Sequence, residues 1–514
     1  MKKSDVLIVG AGPTGLVLAL WLTRFGVHVR IVDKVPEPGQ TSRAIGVQAR
    51  TLEQYRQVDL DREVVAAGFP ARGLNLWVTG ERTGRLELGE IGKGLSPFPY
   101  LLAYPQDEHE KLLISRLEKL GVQVERPTEL VELVATDDRI GARLRRVDGA
   151  IEECEATYLA GCDGARSFVR EALKIGYPGG TYSHLFYVAD VEASGPTMNG
   201  EAHFALEDDS NFLACLALGP SQVRLIGTVR EEAVKEGETL GWDDVSKRVI
   251  ERLHLKVAQV NWFSTYHVHH RVASAFRLGG IFLLGDAAHI HSPVGGQGMN
   301  TGIGDAINLA WKLAAALHDH ADAHIVDSYE EERMPFAQRL VHSTDRAFEL
   351  LSADGPIATR VRVGIVPQLL TTLFHFEAVR RFLFRTVSQI NINYRGSRLS
   401  EGRAGDVYGG DRLPWIPSEG RSDNFEPLSS LGWQTHVYGD SSNELASACS
   451  ARRLPLHAFA WNAGAQEAGF ERDAAYLVRP DGYVALAAPM SHAAERIERY
   501  LVTRHIRLGD GGSV

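Results

Sequence analysis

The sequence DVLIVGAGPTGLVLALWLTRFGVHVRIVDK, residues 5–34, decides the fold of this chain. Its first part, DVLIVG (5–10), is a continuous run of mostly apolar and β-branched residues ended by glycine, which predicts a buried strand. A helix is predicted over about 14–25, and VHVRIVDK (27–34) has the composition of a second strand. The order strand, helix, strand predicts the βαβ start of a doubly wound α/β fold with a parallel sheet.

The turn between the first strand and the helix carries a glycine-rich G-x-G-x-x-G motif. It comprises Gly10, Gly12, Pro13, Thr14 and Gly15. Its glycines permit a tight turn, close approach of the backbone to a pyrophosphate and close packing of helix on strand, while the helix N-terminus offers N–H groups to phosphates. Asp33, with Lys34 beside it, follows Gly15 by 18 residues (33 − 15), where an acid can hold ribose hydroxyls. The motif predicts a bound dinucleotide, and NAD would satisfy it as well as FAD.

Composition limits the class of protein. The chain has 514 residues, of which 44% are hydrophobic and 23% charged, a globular mixture that excludes a disordered, collagen-like or coiled-coil chain. At about 150 residues per domain, this length predicts roughly three domains. The formal net charge of −10 argues against nucleic acid as a partner, because nucleic-acid binding uses an excess of Lys and Arg.

Cysteine spacing and hydropathy indicate the compartment. The four cysteines (154, 162, 215 and 449) form no C-x-x-C pair and no zinc-ligand spacing, which is typical of a reducing compartment and predicts no metal site. The apolar run Val6–Val9 follows Lys2 and Lys3, as in a signal peptide, but glycines interrupt what would be its apolar core. No apolar stretch is long enough to span a membrane. We therefore expect a cytoplasmic protein without a membrane partner.

Two further stretches combine glycine with an acid at the end of a predicted strand. The first is GCDGARSFVR (161–170), in which Asp163 and Gly164 form a turn before basic residues. The second is GDAAHIHSPVGGQGMN (285–300), in which Asp286 can accept hydrogen bonds from sugar-like hydroxyls and later glycines open the N-terminus of a helix. The chain thus has three glycine–acid motifs about 130 residues apart. A single NAD fingerprint does not predict the later two.

Together these three motifs resemble the signatures of the FAD-dependent aromatic hydroxylases. Within them, the chain is similar to the phenol hydroxylase and pentachlorophenol monooxygenase branch of single-component flavoprotein monooxygenases. The resemblance covers nearly the whole chain. It extends to QTSRAIGVQART (40–51), YPQDEHEKLL (104–113), NYRGSRLS (393–400), GGDRLPWIP (409–417) and AAYLVRPDGYVAL (474–486).

This resemblance implies a Rossmann-like FAD-binding domain with an inserted β-sheet substrate domain and a C-terminal thioredoxin-like domain. The expected boundaries are 1–175 for the first part of the FAD-binding domain, 176–275 for the sheet domain, 276–400 for the second part with a helical region, and 401–514 for the last domain. The Gly-, Asp- and Pro-rich stretch 403–417 is interpreted as a linker or a domain boundary. Cys449 is alone in the last domain, so packing or homodimer formation is expected there rather than disulfide exchange.

The resemblance also implies which residues hold FAD. Asp33 would bind the adenosine ribose, and Asp286 the ribityl hydroxyls. Arg43 would reach the phosphates and Gln106 the flavin end of the ribityl chain. The loop after Pro293 would pass along the isoalloxazine, where a helix N-terminus stabilises the negative charge of reduced flavin. The expected FAD contacts are Gly10, Gly12, Pro13, Thr14, Gly15, Asp33, Lys34, Arg43, Gln106, Asp163, Gly164, Asp286, Pro293, Gly296, Gly298, Met299 and Asn300.

The implied activity is hydroxylation of an aromatic, phenolic small molecule. NADH or NADPH, bound transiently, would reduce FAD, and O2 would then form a flavin hydroperoxide that transfers one oxygen atom to the ring. Two alternatives stay open: a flavin-dependent reductase or dehydrogenase on the same fold, and a flavoprotein without turnover whose C-terminal domain is an interaction module. The surroundings of Ile45 and Tyr394, together with the C-terminal domain, favour the phenolic branch.

No motif identifies a catalytic residue. Phenol hydroxylase has an acid where this chain has Ile45, which cannot accept a proton, so another group must activate a phenol. His267 and His269 share one face of a predicted strand without a neighbouring carboxylate, so a metal site is not expected there. His289, His291, Met299 and Trp311 are interpreted as structural. The candidates for contact with substrate are Tyr182, Tyr187, Arg224, His267, His269 and Tyr394.

Overall fold

The computed structural model describes residues 2–39, 44–135, 139–207, 212–229, 240–292, 296–318, 323–352, 361–418 and 423–508. Their strands are β1 (Lys2–Val9), β2 (Val29–Val32), β3 (Gly46–Val47), β4 (Phe69–Ala71), β5 (Gly73–Val78), β6 (Glu81–Glu87), β7 (Leu101–Ala103), β8 (Val124–Glu125), β9 (Thr128–Ala135), β10 (Ile140–Arg146), β11 (Ile151–Gly161), β12 (Gly179–Ser194), β13 (Ala202–Leu206), β14 (Phe212–Ala217), β15 (Gln222–Val229), β16 (Lys256–Val272), β17 (Arg277–Leu278), β18 (Ile281–Leu283), β19 (His289–Ile290), β20 (Glu401–Ala404), β21 (Val407–Tyr408), β22 (Gln434–Tyr438), β23 (Leu456–Phe459), β24 (Ala475–Val478) and β25 (Val484–Ala488).

The α-helices of the same residues connect and cover these strands. They are α1 (Pro13–Arg24), α2 (Ala49–Arg56), α3 (Asp61–Ala67), α4 (Gln106–Lys119), α5 (Phe168–Ala172), α6 (Lys247–Arg252), α7 (Gly298–His318), α8 (Ala323–Ser352), α9 (Val366–Leu373), α10 (Glu377–Val387), α11 (Asn443–Ala451), α12 (Ala463–Glu467) and α13 (Met490–Thr503).

The first eight-stranded sheet contains the predicted βαβ unit. Its strand order is β17-β18-β11-β1-β2-β8, and β10 and β9 extend it from β11. The pairs β1–β2, β1–β11 and β11–β18 are parallel, as a doubly wound fold requires. The helix expected over 14–25 begins one residue earlier, at Pro13, whose missing N–H costs nothing in the first turn. Eight consecutive residues of α1, Gly15–Leu22, are buried against the sheet and the neighbouring helices.

The second eight-stranded sheet has the order β19-β16-β12-β15-β14-β13-β5-β6. Neighbouring strands are antiparallel except β13 and β5, which are parallel. The succession of strand-like segments and turns in residues 176–275 predicted most of this sheet. Its last two strands come from Gly73–Glu87, outside that range, because the pairing of β13 with β5 joins segments far apart in the chain.

The third, six-stranded sheet lies near the C-terminus and has the order β21-β20-β25-β24-β22-β23. The parallel strands β22 and β23 are joined by α11. The antiparallel hairpin β24–β25 follows, and α13 comes after it. A βαβ unit followed by a ββα unit is the thioredoxin arrangement. Cys449 is buried on α11 and forms no disulfide.

The interpretation of 403–417 as a linker was wrong. Strand β20 pairs with β25 at Glu401 and Gly402, directly before this stretch, and within the stretch Arg403 and Ala404 pair with β21. Arg412 also forms a β-bridge with Tyr483, so the segment belongs to the edge of the C-terminal sheet. Its glycines serve close packing rather than flexibility. A Cβ atom on Gly409 would lie 2.3 Å from the backbone nitrogen of Glu401, and one on Gly410 would lie 2.5 Å from that of Arg395.

No helix in the described ranges is both long and apolar enough to cross a membrane.

Three histidines are buried where no acid compensates a charge. Burial lowers the pKa of His109 and His436 to about 3 and that of His291 to about 4. Below pH 6.5 the unfolded chain binds protons at these positions and the folded chain does not. We therefore expect the free energy of unfolding to fall as the pH drops from about 6.5 to about 5, by up to roughly 1.4 kcal/mol per pH unit for each histidine.

The measurement is denaturant unfolding at several pH values and one saturating FAD concentration. His436→Gln should reduce the slope, whereas His492→Gln, at an exposed position, should leave it unchanged. Carboxylates held by buried arginines lose their contribution only below about pH 4.5, so they do not affect this window. An unchanged slope in His436→Gln would contradict the assignment.

Candidate active site

The register of the first sheet brings the three glycine–acid motifs to one edge. Val9, the last residue of β1, pairs with Gly161 on one side and with Val32 on the other. Gly161 in turn pairs with Leu283 at the end of β18. The motifs begin directly after these positions, so all three lie at the carboxyl edge of the parallel strands, where doubly wound folds bind their ligands.

The glycines of the first motif have different surroundings. Gly10 has φ +103°, and a Cβ atom there would lie 2.2 Å from the carbonyl oxygen of Cys162 in the second motif. A Cβ on Gly15 would lie 2.0 Å from the carbonyl oxygen of Gly10. Gly12, the N-cap of α1, has no described atom within 4 Å of its Cβ position. Gly10 and Gly15 are therefore needed for packing, whereas Gly12 leaves open space at the start of α1.

Asp33 is held against the glycine turn. Its carboxylate accepts hydrogen bonds from the backbone N–H groups of Ala11 (2.7 Å) and Val35 (2.8 Å). Arg126 lies 3.6 Å from the same carboxylate and donates to the carbonyl oxygen of Ala11 at 2.9 Å. Lys34 is exposed beside it. Sequence reasoning missed Arg126, because only the folded sheet brings the segment after β8 to this turn.

The second motif leaves a carboxylate oxygen unpaired. Asp163 Oδ2 accepts from the backbone N–H of Val169 at 3.1 Å, while buried Oδ1 has no partner among the described residues. Burial raises the pKa of Asp163, although hydrogen bonds from Ser167 and Val169 oppose the shift. Gly164 has φ +79° and, within the described chain, no atom within 4 Å of its Cβ position. The motif can therefore accept a donor from a ligand.

The third motif packs directly on the first. A Cβ on Gly285 would lie 2.7 Å from Thr14 Oγ1, and one on Gly302 would lie 2.3 Å from the same atom. The starts of α1 and α7 therefore meet at Thr14. Asp286 is exposed at this edge, and its backbone carbonyl accepts from the Tyr177 hydroxyl at 2.8 Å.

The start of α7 is fixed by Asn300. Its buried amide donates to the carbonyl oxygens of Gly46 (2.8 Å) and Gly296 (3.2 Å) and accepts from the N–H of Gln48 (2.9 Å). The backbone N–H groups of Gly298, Met299 and Asn300 precede the first intrahelical bond, from Thr301 N to Gln297 O at 2.9 Å. These N–H groups are therefore placed for a negatively charged ring system.

Three further predicted contacts have different outcomes. Gln106 begins α4, where its side chain donates to Glu110 at 2.8 Å and its backbone N–H to the carbonyl oxygen of Ala44. Arg43 and Pro293 lie outside the described residues.

The geometry of this edge fits FAD. Gly12 and Gly164 leave space for backbone contact with a dinucleotide, and Asp163 offers an unpaired acceptor. Two helix N-termini point N–H groups to the same edge, at Gly12 and Gly298, and Asp286 supplies an exposed carboxylate. These are the groups that a pyrophosphate, a polyol chain and a flavin ring require.

The second sheet places one of its faces toward this site. Arg224, fully buried on β15, makes two 2.7 Å hydrogen bonds to Asp190 of β12 and donates to the carbonyl oxygen of Ala44 at 3.2 Å. Ala44 precedes Ile45, which is buried with only 8% of its surface exposed. Arg224 therefore connects the second sheet to the segment 44–48. Asn300 of α7 forms hydrogen bonds to the backbone of the same segment.

The same face of this sheet is aromatic. Phe186 lies 5.6 Å from Phe212 and 5.8 Å from Tyr266, and Phe204 lies 5.6 Å from Phe212, between ring centroids. Tyr182 packs at the border of this group, and its hydroxyl donates to Asp345 of α8. His270 meets the Tyr182 ring edge-on at 4.7 Å. We call Phe186, Phe204, Phe212 and Tyr266 the aromatic face.

The other candidates for substrate contact lie elsewhere. Tyr187 faces the opposite side of the sheet and stacks on Phe263 in that core. His267 is exposed, and His269 forms a 2.7 Å hydrogen bond with Thr181. The described residues contain no group of metal-binding side chains. Tyr394 is buried, and its hydroxyl accepts from Arg333 at 2.9 Å.

Behind the third motif, Asp305 and Arg333 form a buried ion pair that the sequence did not predict. Asp305 accepts from the N–H of Gly285 (3.0 Å) and from Arg333 (2.6 Å), and bonds His289 Nε2 at 2.8 Å. Burial raises the pKa of Asp305, but Arg333 and His289 outweigh it, so the pKa lies below its usual range. The sequence did contain one signal for this pair, because Asp305 is an acid within the apolar run of α7. His289 thus has a structural partner, as expected.

Comparison with known proteins identifies the family. Residues 3–344 match the family described as an FAD binding domain. The chain is 36% identical over 360 residues to 6-methylpretetramide 4-monooxygenase from Streptomyces rimosus, covering 69% of this chain and 63% of that relative. It is 32% identical over 425 residues to pentachlorophenol 4-monooxygenase from Sphingobium chlorophenolicum, covering 80% of this chain and 75% of that protein.

A solved structure is similar over the whole chain. The anhydrotetracycline hydroxylase from Streptomyces rimosus superposes with a TM-score of 0.78 at 27% identity, covering 99% of this chain and 100% of that one. The chain therefore belongs to the FAD-binding family of aromatic monooxygenases, and it is an FAD-dependent enzyme that hydroxylates an aromatic compound. The predicted resemblance, fold class and cofactor are confirmed.

Removing the Asp286 carboxylate tests its predicted contact with the ribityl chain. Asp286→Ala should weaken FAD binding by about 1.5–3 kcal/mol, or roughly 10- to 150-fold in Kd, because hydrogen bonds to a charged acceptor are lost. The measurement is the flavin-to-protein absorbance ratio after purification, followed by titration of the apoprotein with FAD. Asp148→Ala, in an exposed turn, should bind FAD normally. Full flavin occupancy in Asp286→Ala would contradict the placement.

Proposed function

We propose that this enzyme hydroxylates the phenolic ring of an extended, uncharged aromatic compound bound against the aromatic face. The observation that carries the proposal is the position of that face, on the side of the second sheet that Arg224 joins to Ala44. Flat rings bind preferentially to such offset and edge-to-face aromatic surfaces. The site residues are Tyr182, with the aromatic face, for substrate, and Gly12, Asp33, Asp163, Asp286 and the start of α7 for FAD.

The charges on this face support an uncharged substrate. The Arg224 guanidinium is occupied by Asp190 and by the Ala44 carbonyl oxygen, so it is not available to a substrate carboxylate. Arg224 would therefore not offset the charge of an aromatic carboxylate, whose desolvation has a large cost without a partner. Similarity to a 6-methylpretetramide 4-monooxygenase and to an anhydrotetracycline hydroxylase supports an extended substrate.

Tyr182 supplies the polar contact for the phenol. The Tyr182 hydroxyl donates to Asp345, and because a tyrosine oxygen can donate and accept at the same time, it can also accept a hydrogen bond from a phenolic O–H. A phenol that gives up its proton becomes more electron-rich and reacts more readily with an electrophilic oxygen. Tyr182 and Asp345 would thus replace the acid that phenol hydroxylase has at the position of Ile45.

FAD, when bound and reduced by NADH or NADPH, supplies activated oxygen, of which one atom enters the ring and the other leaves as water. The protein residues position the ring and stabilise charge. The N–H groups at the start of α7 stabilise negative charge on the reduced cofactor. Buried Ile45 and the aromatic rings keep water away from the reacting atoms.

The test measures NADH and NADPH oxidation with a panel of simple phenols, polycyclic phenols and polycyclic carboxylates, under labelled O2. We expect a polycyclic phenol to raise the rate and to yield a product that carries one labelled oxygen atom. The two alternatives, a reductase and a flavoprotein without turnover, both predict no label in any product. A carboxylate that outperforms the neutral phenols would contradict the proposed substrate class.

Tyr182→Phe separates binding from activation. This variant retains the aromatic ring of residue 182 but lacks the hydroxyl oxygen that would accept a hydrogen bond from the substrate. We therefore expect kcat for a phenol to fall by about 10²–10⁴-fold, with flavin content unchanged. Tyr187→Phe is the matched control, because Tyr187 lies on the opposite side of the sheet. Equal rates in the two variants would exclude Tyr182 from activation.

A further inference from the structure

A buried ionic network joins the C-terminal sheet to the helices of the flavin site. Arg479, in the loop after β24, is completely buried and donates to Glu332 of α8 at 2.7 and 3.0 Å. It also donates to Asp481 at 2.6 and 3.0 Å. The two carboxylates thus share one guanidinium in the junction between the C-terminal hairpin and α8.

Helix α7 takes part in the same network. Glu332 accepts from Lys312 Nζ (2.8 Å) and from the Asn308 amide (2.7 Å), both on α7. Trp311 of α7 donates its indole N–H to Asp481 at 3.1 Å. We call Arg479, Asp481, Glu332, Lys312 and Asn308 the Arg479 network.

The network reaches the flavin site through the next residue of α8. Arg333 follows Glu332 and donates to Asp305 (2.6 Å), to the Tyr394 hydroxyl (2.9 Å) and to the carbonyl oxygen of Thr301 (3.0 Å). Asp305 in turn holds the N–H of Gly285, the residue before Asp286. Thr301 is in the first turn of α7, directly after the residues placed for the flavin ring.

Electrostatics explains why a buried ionic network fixes the relative position of the elements that it joins. Buried ion pairs contribute little net stability, because desolvation of the charges offsets their attraction. They do require defined geometry, since a displaced partner leaves a buried charge uncompensated. The junction also has apolar contacts, because one core of the C-terminal sheet includes Trp311 of α7 and Ile325 of α8. A second apolar core lies within the C-terminal residues themselves. The charged groups of this junction therefore fix the relative position of α7, α8 and the hairpin more strictly than the apolar contact alone would.

We infer that the C-terminal sheet acts as an intramolecular support of the flavin site, with Arg479 as its positioning residue. Arg479 holds Glu332, which sets the position of Arg333, and Arg333 with Asp305 holds the Gly285 turn and the start of α7. This inference concerns FAD affinity and does not depend on which compound is hydroxylated. Failure of the substrate panel would leave it intact, and its own failure would leave the proposed substrate class intact.

The test compares FAD affinity with stability in matched variants. Arg479→Met removes the guanidinium and should weaken FAD binding by at least tenfold, measured by flavin fluorescence on titration of the full-length apoprotein. Cys449→Ala is the control, because Cys449 is buried on α11 and, among the described residues, its thiol donates to Thr435 at 3.7 Å and to no residue of the network. It should lower the thermal midpoint but leave the FAD Kd within twofold of the original.

A second variant keeps the test decisive if Arg479→Met does not fold. Tyr394→Phe retains the ring that packs on Tyr483 at 4.4 Å but removes the hydroxyl that accepts from Arg333. It should weaken FAD binding three- to tenfold. The inference is overturned if FAD affinity in Tyr394→Phe and in any folded Arg479→Met stays within twofold of the original. It is also overturned if Cys449→Ala weakens FAD binding as much as they do.

Discussion

Gly12→Ala is expected to give a folded protein that no longer retains FAD. The backbone at Gly12 has φ −78°, which alanine adopts without strain, and no described atom lies within 4 Å of the new Cβ. The free energy of unfolding of the apoprotein should therefore change by no more than about 1 kcal/mol. The new methyl group occupies the space through which the pyrophosphate approaches the backbone. FAD affinity should fall on the order of 100-fold, which is about 2.7 kcal/mol.

Gly10→Ala and Gly15→Ala are the controls for this separation. At both positions a Cβ meets a backbone carbonyl oxygen, at 2.2 and 2.0 Å, and Gly10 also has φ +103°. These variants should lose more than about 3 kcal/mol of folding free energy, because backbone cannot move aside as a side chain can. Denaturant unfolding and FAD titration measure both effects. Unchanged FAD affinity in Gly12→Ala would show that the dinucleotide does not pass over this turn.

The second large effect is expected at Glu53 of α2, which joins α2 to the C-terminal sheet. Its completely buried carboxylate accepts from Arg412 at 2.5 and 2.8 Å and from Ser96 at 2.6 Å. Burial raises the pKa of Glu53, but the attraction and hydrogen bonds of Arg412 and Arg50 outweigh it and hold the pKa below its usual range. Glu53→Gln leaves the Arg412 guanidinium without the carboxylate that pairs with it and removes one of the acids that attract Arg50. We expect a loss of about 3–5 kcal/mol in the free energy of unfolding.

The matched control is an exposed ion pair in the C-terminal part of the chain. Glu498 pairs with Arg452, and both side chains are about half exposed. Glu498→Gln should change the free energy of unfolding by less than about 1 kcal/mol. Equilibrium denaturation of both variants at one pH is the measurement. A Glu53→Gln protein as stable as the control would mean that solvent compensates the charges of Arg412 and Arg50.

Local pattern predicted the elements around the cofactor closely. The run DVLIVG and the glycine motif predicted β1 and α1 to within a few residues, because strand and helix periodicity and backbone freedom are properties of adjacent residues. The same reasoning failed at 403–417. Glycines there permit close approach of backbones, and sequence alone does not distinguish such a packed edge from a linker.

The sequence by itself determined the class of this protein, and it predicted the dinucleotide turn and the acids Asp33, Asp163 and Asp286 as contacts of FAD. Each of these depends on spacing within a short segment, and chemistry follows from residue type. Only the tertiary structure decided which distant groups meet. Arg126 at Asp33, Arg333 at Asp305 and Arg479 at Glu332 are joined across 93, 28 and 147 positions of the chain (126 − 33, 333 − 305 and 479 − 332). Such pairs leave no local pattern, because strand order and helix packing, and not adjacency, bring their charges together.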